Sequence, residues 1–196
     1  MKFLLITIFV LSSFINGFSQ EQSNNKALDL KAGDEAPAFY LKDLQGKDVF
    51  LRNFCGEKLR QPWKNKTKYA VILSFFASWC EPCKREVPIL EEVAEKYKDK
   101  KLKIFLVNVG EKKDVVKPFV EKQGYSLPVL LDVYKVVSEK KYNIKSLPRL
   151  IIIDPNGVIR LVKRGFHDRE KFTTTLQGVL DEMFVGESGK SGESGK

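Results

Sequence analysis

Cys80 and Cys83 flank a Glu-Pro dipeptide in the stretch Phe75-Phe76-Ala77-Ser78-Trp79-Cys80-Glu81-Pro82-Cys83. An apolar run from Tyr69 to Phe76 precedes the pair and residues with helical spacing follow it at once. Two thiols at such a strand-to-helix junction can do disulfide chemistry. A sulfur at the cap of the new helix faces unpaired backbone N–H groups and the positive end of the helix dipole, both of which favour thiolate over thiol. A thiolate at Cys80 attacks disulfides, and Cys83, one helical turn on, can resolve the mixed disulfide. Pro82 suits an early helical position, where its missing N–H costs nothing, and Pro88 lies deeper, where a kink is expected.

The elements that must hold this pair can be read from periodicity. Phe39, Leu41, Val49 and Leu51 alternate around Gln45-Gly46-Lys47, as a β-hairpin does. Tyr69 to Phe76 and Leu102 to Val109 are near-continuous apolar runs, the mark of strands buried on both faces. Between them Val87, Leu90, Val93, Ala94 and Tyr97 recur at helical spacing, giving a right-handed parallel strand-helix-strand unit. Asp114 to Gln123 reads as a helix with Val116, Phe119 and Val120 inward, closed by Gly124. Leu127 to Leu131 reads as a short strand and Val133 to Tyr142 as another helix. Arg149 to Asp154 reads as a further strand, Pro155-Asn156-Gly157 as a turn, and Val158 to Lys163 as an antiparallel edge. Asp168 is placed to cap a last helix whose Phe172, Leu176, Val179, Leu180 and Met183 form one apolar stripe.

The 196 residues suffice for one well-buried domain. Residues 1–19 carry Lys2, an apolar core and then Gly17-Phe18-Ser19, the pattern of a cleavable export signal; an uncleaved membrane tether is the alternative. Residues 20–31 read as a flexible leader, 32–184 as the folded domain, and 185–196, with its repeated Gly-Glu-Ser-Gly-Lys, as a solvated tail. The formal charge of +9 is carried by lysines interspersed with acidic residues and joined by no nucleic-acid motif, so it is read as solvated faces and no nucleic-acid partner is expected. A basic segment from Asn53 to Lys68 contains Cys55 and the glycosylation-type triplet Asn65-Lys66-Thr67. Cys55 is either a buried bystander or a third redox thiol.

Trp79-Cys80-Glu81-Pro82-Cys83, with Glu86 and Pro88 after it and Ser146-Leu147-Pro148 before the apolar run Leu150 to Ile153, resembles the TlpA/ResA-like thiol-disulfide oxidoreductases of the thioredoxin-fold superfamily. The resemblance spans roughly Ala32 to Phe184. It implies a thioredoxin-like α/β fold, a mixed central sheet flanked by helices, with an N-terminal β-hairpin and a TlpA-type αβ insertion. It also implies an exported, periplasmic enzyme that needs no cofactor and reduces disulfides in client proteins, as in cytochrome c maturation, drawing on a membrane thiol electron donor. By the same resemblance Cys80 and Cys83 form the redox-active disulfide, and Pro148 is a cis-proline facing it. Trp79, Leu147, Pro148 and Phe166 surround an exposed Cys80 sulfur and contact substrate, although Phe166 also reads as a plain core aromatic.

Glu86 lies on the helical face of Cys83, and ResA-like proteins carry a glutamate there; if buried, it can pass protons to the second sulfur, and if exposed it merely complements the dipole. Ser74 stands where cytoplasmic thioredoxins carry a buried aspartate, and a hydroxyl cannot take that acid-base role at neutral pH. Two other functions compete. A Sco-like copper chaperone would use Cys80, Cys83 and His167, but such proteins space their cysteines by three residues. A peroxiredoxin-like peroxidase is the third reading, although Ala77 stands where the Thr of a Thr-x-x-Cys motif would.

Overall fold

The computed structural model describes residues 29–56 and 67–188. The expected signal, most of the leader, Asn65 and Lys66 of the glycosylation triplet, and the tail from residue 189 lie outside the described residues. The chain folds into a seven-stranded mixed sheet in the order β2-β1-β5-β4-β3-β6-β7. Its strands are β1 (Tyr40–Asp43), β2 (Asp48–Phe50), β3 (Ala70–Phe76), β4 (Leu102–Val109), β5 (Val129–Asp132), β6 (Arg149–Ile153) and β7 (Ile159–Arg164). Strands β3, β4 and β5 run parallel, and β6 lies antiparallel against the other side of β3.

Every residue of β3 is buried, Ser74 included, as the near-continuous apolar run of a strand covered on both faces implies. Alternation then sends Ile72, Ser74 and Phe76 to one face and Val71, Leu73 and Phe75 to the other. On the first face Ile72 and Phe76 pack with Val87 and Leu90 of helix α1 (Glu81–Lys96), Val116 and Val120 of α2 (Lys113–Gln123), and Phe172, Leu176 and Leu180 of α3 (Arg169–Ser188). On the second, the strand meets Leu30, Phe39, Leu51, Cys55, Val137, Tyr142 and Ile144. Each such Leu, Ile or Phe stabilises the fold by about 1.5–3 kcal/mol when fully buried.

Local chemistry agrees with the sequence at the turns. Asp43 Oδ1 accepts the N–H groups of Gln45 and Lys47, and Gly46 takes a φ of +86°, which closes the β1–β2 hairpin. Gly124, at φ +69°, ends α2. Asp168 Oδ1 accepts the Lys171 N–H at 2.6 Å and caps α3.

Two boundaries and one element differ from the sequence reading. Leu30 is buried and Asp29 pairs with Arg164 at 2.6 Å, so the end of the expected leader packs on the domain. Helix α3 continues to Ser188, into the stretch read as tail. The helix expected over Val133 to Tyr142 is only a single π-helical turn, Val136–Lys141. Lys135 and Asn143 bracket it in left-handed backbone conformations, and the buried Asp132 carboxylate takes the Ser138 N–H at 2.6 Å, so neither end can be extended as α-helix.

Candidate active site

The end of β3 and the start of α1 bring the two cysteines together. Cys80 is the N-cap of α1, with extended backbone (φ −84°, ψ 98°), and its side chain makes no capping hydrogen bond. Its carbonyl instead accepts the N–H groups of Cys83 and Lys84 at 3.1 and 3.3 Å, so the first turn winds directly from Cys80. Pro82 sits in the first two helical positions, as its missing N–H allows, and Pro88 lies inside the helix on its exposed side. The Cα atoms of Cys80 and Cys83 are 5.3 Å apart and their sulfurs are joined in a disulfide.

The expectation of an exposed Cys80 sulfur is corrected in this oxidised form. Cys80 is 4% exposed and Cys83 2%, because both packed sulfurs belong to the apolar cluster under α1. What projects into solvent is Trp79, 70% exposed. The peptide between Leu147 and Pro148 is cis, Pro148 is buried, and the half-buried Leu147 touches the apolar clusters on both faces of the sheet. Gly165 donates its N–H to the Pro148 carbonyl at 3.0 Å, which ties the loop after β7 to the proline. Phe166 follows, but it is buried, with its ring 5.2 Å from that of Phe172 and the Arg85 guanidinium over its face. It is therefore a core aromatic rather than a contact surface, the second of the two readings its sequence allowed.

Glu86 is 1% exposed, one helical turn beyond Cys83. Burial pushes its carboxyl up to about 7, against the opposing effects of a hydrogen bond from Ser74 and the positive charge of Lys163. The Ser74 Oγ lies 2.7 Å from Glu86 Oε1, and Ser74 is itself 1% exposed. Glu86 is thus the buried carboxyl of the two alternatives, with a protonation equilibrium near neutrality.

A second carboxylate, not anticipated from sequence, holds the loop from behind. Glu111, just past β4, accepts the Ser78 N–H at 2.8 Å, the Ser78 hydroxyl at 2.5 Å and the Asn108 side-chain amide at 2.7 Å. Ser78 precedes Trp79 and Cys80, so these bonds fix the approach of the chain to α1. The available signal was Asn108, a lone amide in the apolar run of β4, paired in register with Phe76. Arg149, directly after Pro148, is also buried, at 5% exposure, and burial together with the neighbouring Arg164 lowers its proton affinity.

Cys55 is a free thiol at 2% exposure on the face of the sheet opposite the disulfide. Burial and the negative charge of Asp154 push it up to about 12, which suits a bystander rather than a third redox thiol. His167 is folded back over Gly165, and among the described residues no group of three His, Cys, Asp or Glu side chains could hold a metal ion. No helix among the described residues is long and apolar enough to cross a membrane.

Comparison with known proteins agrees with this geometry. The AhpC/TSA family matches residues 32–162. A thiol-disulfide oxidoreductase ResA of Bacillus cereus is 30% identical over 178 residues, covering 90% of this chain and 95% of its own. The ResA of Geobacillus kaustophilus is 33% identical over 147 residues, covering 75% and 77%. A crystal structure from Chlorobium tepidum, described as a thiol:disulfide interchange protein DsbE, superposes with a TM-score of 0.66 at 28% identity, covering 79% of this chain and 98% of that one. A thiol:disulfide interchange protein from a Bacteroides species shares the fold, with a TM-score of 0.64 at 24% identity over 85% of this chain and 99% of that one.

Proposed function

The chain belongs to the AhpC/TSA family and is a thiol-disulfide oxidoreductase like its ResA relatives, and from that premise we propose that it reduces disulfides of exported client proteins through Cys80 and Cys83. The observation that carries the reading is the Cys80–Cys83 disulfide closed on the N-terminus of α1, with the Glu86 carboxyl buried one turn behind it.

In the reducing direction, the Cys80 thiolate attacks one sulfur of the client disulfide. A mixed disulfide forms, and the displaced client sulfur leaves with the electron pair and takes up a proton. Open N–H groups at the helix start and the dipole stabilise the attacking thiolate. Cys83 then gives its proton to the Glu86 carboxylate, and the resulting thiolate attacks Cys80 Sγ. The Cys80–Cys83 disulfide closes and the second client sulfur is released as a thiolate. The client gains two electrons and the chain loses two. An external dithiol, which the reading places in the membrane, restores the reduced pair, and Glu86 returns its proton to Cys83.

Trp79, Leu147 and Pro148 form the client-contacting rim in this reading. An extended client segment can pair with backbone beside Pro148, and Trp79 offers it an exposed aromatic face. Phe166 acts from below by supporting the loop that Gly165 ties to Pro148. Because Cys80 is nearly covered in the oxidised form, reduction or client docking must uncover its sulfur. The apolar stretch at residues 1–19 supports export to the periplasmic side of the cell envelope, and apocytochromes c are the client class we propose from the resemblance of the Cys80-Glu81-Pro82-Cys83 motif to TlpA/ResA-like proteins.

Equilibration of the full chain against redox buffers of known potential tests the direction. The expected midpoint lies nearer the thioredoxin value of about −270 mV than the oxidant value of about −120 mV. A midpoint at the oxidising end would reverse the assigned direction.

A further inference from the structure

Ser74 and Glu86 are a buried polar pair that the disulfide chemistry alone does not require. Ser74 lies in the middle of β3, between Leu106 and Leu150 in the sheet register, and points with Ile72 and Phe76 into the apolar layer under α1. A side chain that gains and loses a proton there needs a partner in both states, since a buried polar group left without a hydrogen bond loses its hydration with nothing in return. A carboxylate needs a donor and a carboxylic acid needs an acceptor. A hydroxyl is both, because its proton rotates to suit.

We propose that Ser74 is a positioning residue for Glu86, a two-way hydrogen-bond partner that keeps the buried carboxyl able to take up and release the Cys83 proton; this rests on the role given to Glu86 above. When Glu86 is ionised, Ser74 Oγ–H donates to Oε1. When Glu86 has taken the proton, the same oxygen accepts from the acid. The 2.7 Å separation suits either arrangement. An apolar residue at position 74 would serve neither state, and an aspartate would set a second negative charge against the first. Lys163, on β7, is the charged side chain from a neighbouring element that acts on Glu86, and it favours the ionised form. The sulfurs of Cys80 and Cys83, once reduced, and the phenols of Tyr97 and Tyr125, which burial holds protonated across this range, are the other titratable groups of that cluster.

The test is the pH profile of client reduction by the full chain, with reduced insulin formation as the readout, together with the infrared carboxyl band of Glu86. Wild type, Ser74→Ala, Ser74→Thr and Glu86→Gln are compared. Wild type is expected to show an inflection near neutrality that Glu86→Gln lacks. Ser74→Ala should move the inflection and the carboxyl band titration upward by about one pH unit, and slow reduction at pH 7 about fivefold, while Ser74→Thr stays with wild type. Should Ser74→Ala not fold, Ser74→Val fills the strand position without a hydroxyl and reads the same shift. An inflection unmoved in Ser74→Ala, or moved as far by Ser74→Thr, overturns the role of Ser74 while leaving that of Glu86 standing. An inflection retained in Glu86→Gln overturns both.

Discussion

The Ser74 hydroxyl and the Glu86 carboxyl meet at 2.7 Å inside the apolar layer that also holds the Cys80–Cys83 disulfide. A carboxyl raised from 4.5 to about 7 by burial binds a proton in the folded chain that it has lost in the unfolded one. Across that window the folded state holds more protons, so this group's contribution to stability is unpenalised below pH 4.5 and falls as pH rises through about 7. The difference amounts to about 3 kcal/mol. Glu86→Gln should therefore flatten the decline in stability between pH 5 and pH 8, as measured by urea midpoints across that range. Parallel curves for wild type and variant would contradict it.

Glu111 is expected to matter through the loop that it anchors. Glu111→Ala leaves the Asn108 amide and the Ser78 N–H without the acceptor they now share. The loss should be about 1–3 kcal/mol in denaturant midpoints, with slower client reduction because the Ser78–Cys80 approach to α1 is freed. A variant as stable and as active as wild type would mean that the loop is held elsewhere.

Cys55 should be silent in the native protein. With a thiol pushed up to about 12, only about one molecule in ten thousand is thiolate at pH 8, and the side chain is enclosed. Mass spectrometry after a short native alkylation of the reduced chain should find Cys55 unmodified and labelled only in denaturant. Native labelling at a rate matching Cys80 would restore it as a redox candidate.

Phe172 joins α3 to the active-site layer through its contact with Phe166. Phe172→Ala should cost about 3–5 kcal/mol, read by thermal or urea unfolding. A cost under about 1 kcal/mol would show that α3 contributes little to the support of the loop beside Pro148.

The legible parts of this fold were those where one side chain decides. Periodicity places β3, β4 and α1, because strands buried on both faces read as near-continuous apolar runs and a half-buried helix as an apolar stripe. Gly46, Gly124 and Asp168 mark their turns and caps by chemistry that few other residues supply. The stretch Val133 to Tyr142 misled because its apolar spacing fits a helix, and that spacing carries no mark of the left-handed Lys135 and Asn143 or of the Asp132 carboxylate that takes the Ser138 N–H. The partners of Glu86 and Ser78 were hidden for a similar reason. Ser74 and Glu111 lie on elements that only the sheet brings beside α1. Phe166 could not be assigned between core and rim until α3 was seen packed against it.

In the proposed mechanism Cys80 is the sulfur that enters client disulfides and Cys83 the one that resolves them. Reaction of reduced Cys83→Ser with a disulfide-bearing client, followed by peptide mass spectrometry, tests it most directly. A stable mixed disulfide on Cys80, rapid alkylation of the reduced Cys80 thiol below pH 8, and no captured client with Cys80→Ser are expected. A client captured on Cys55, or a reduced Cys80 that resists alkylation and captures nothing, would contradict it.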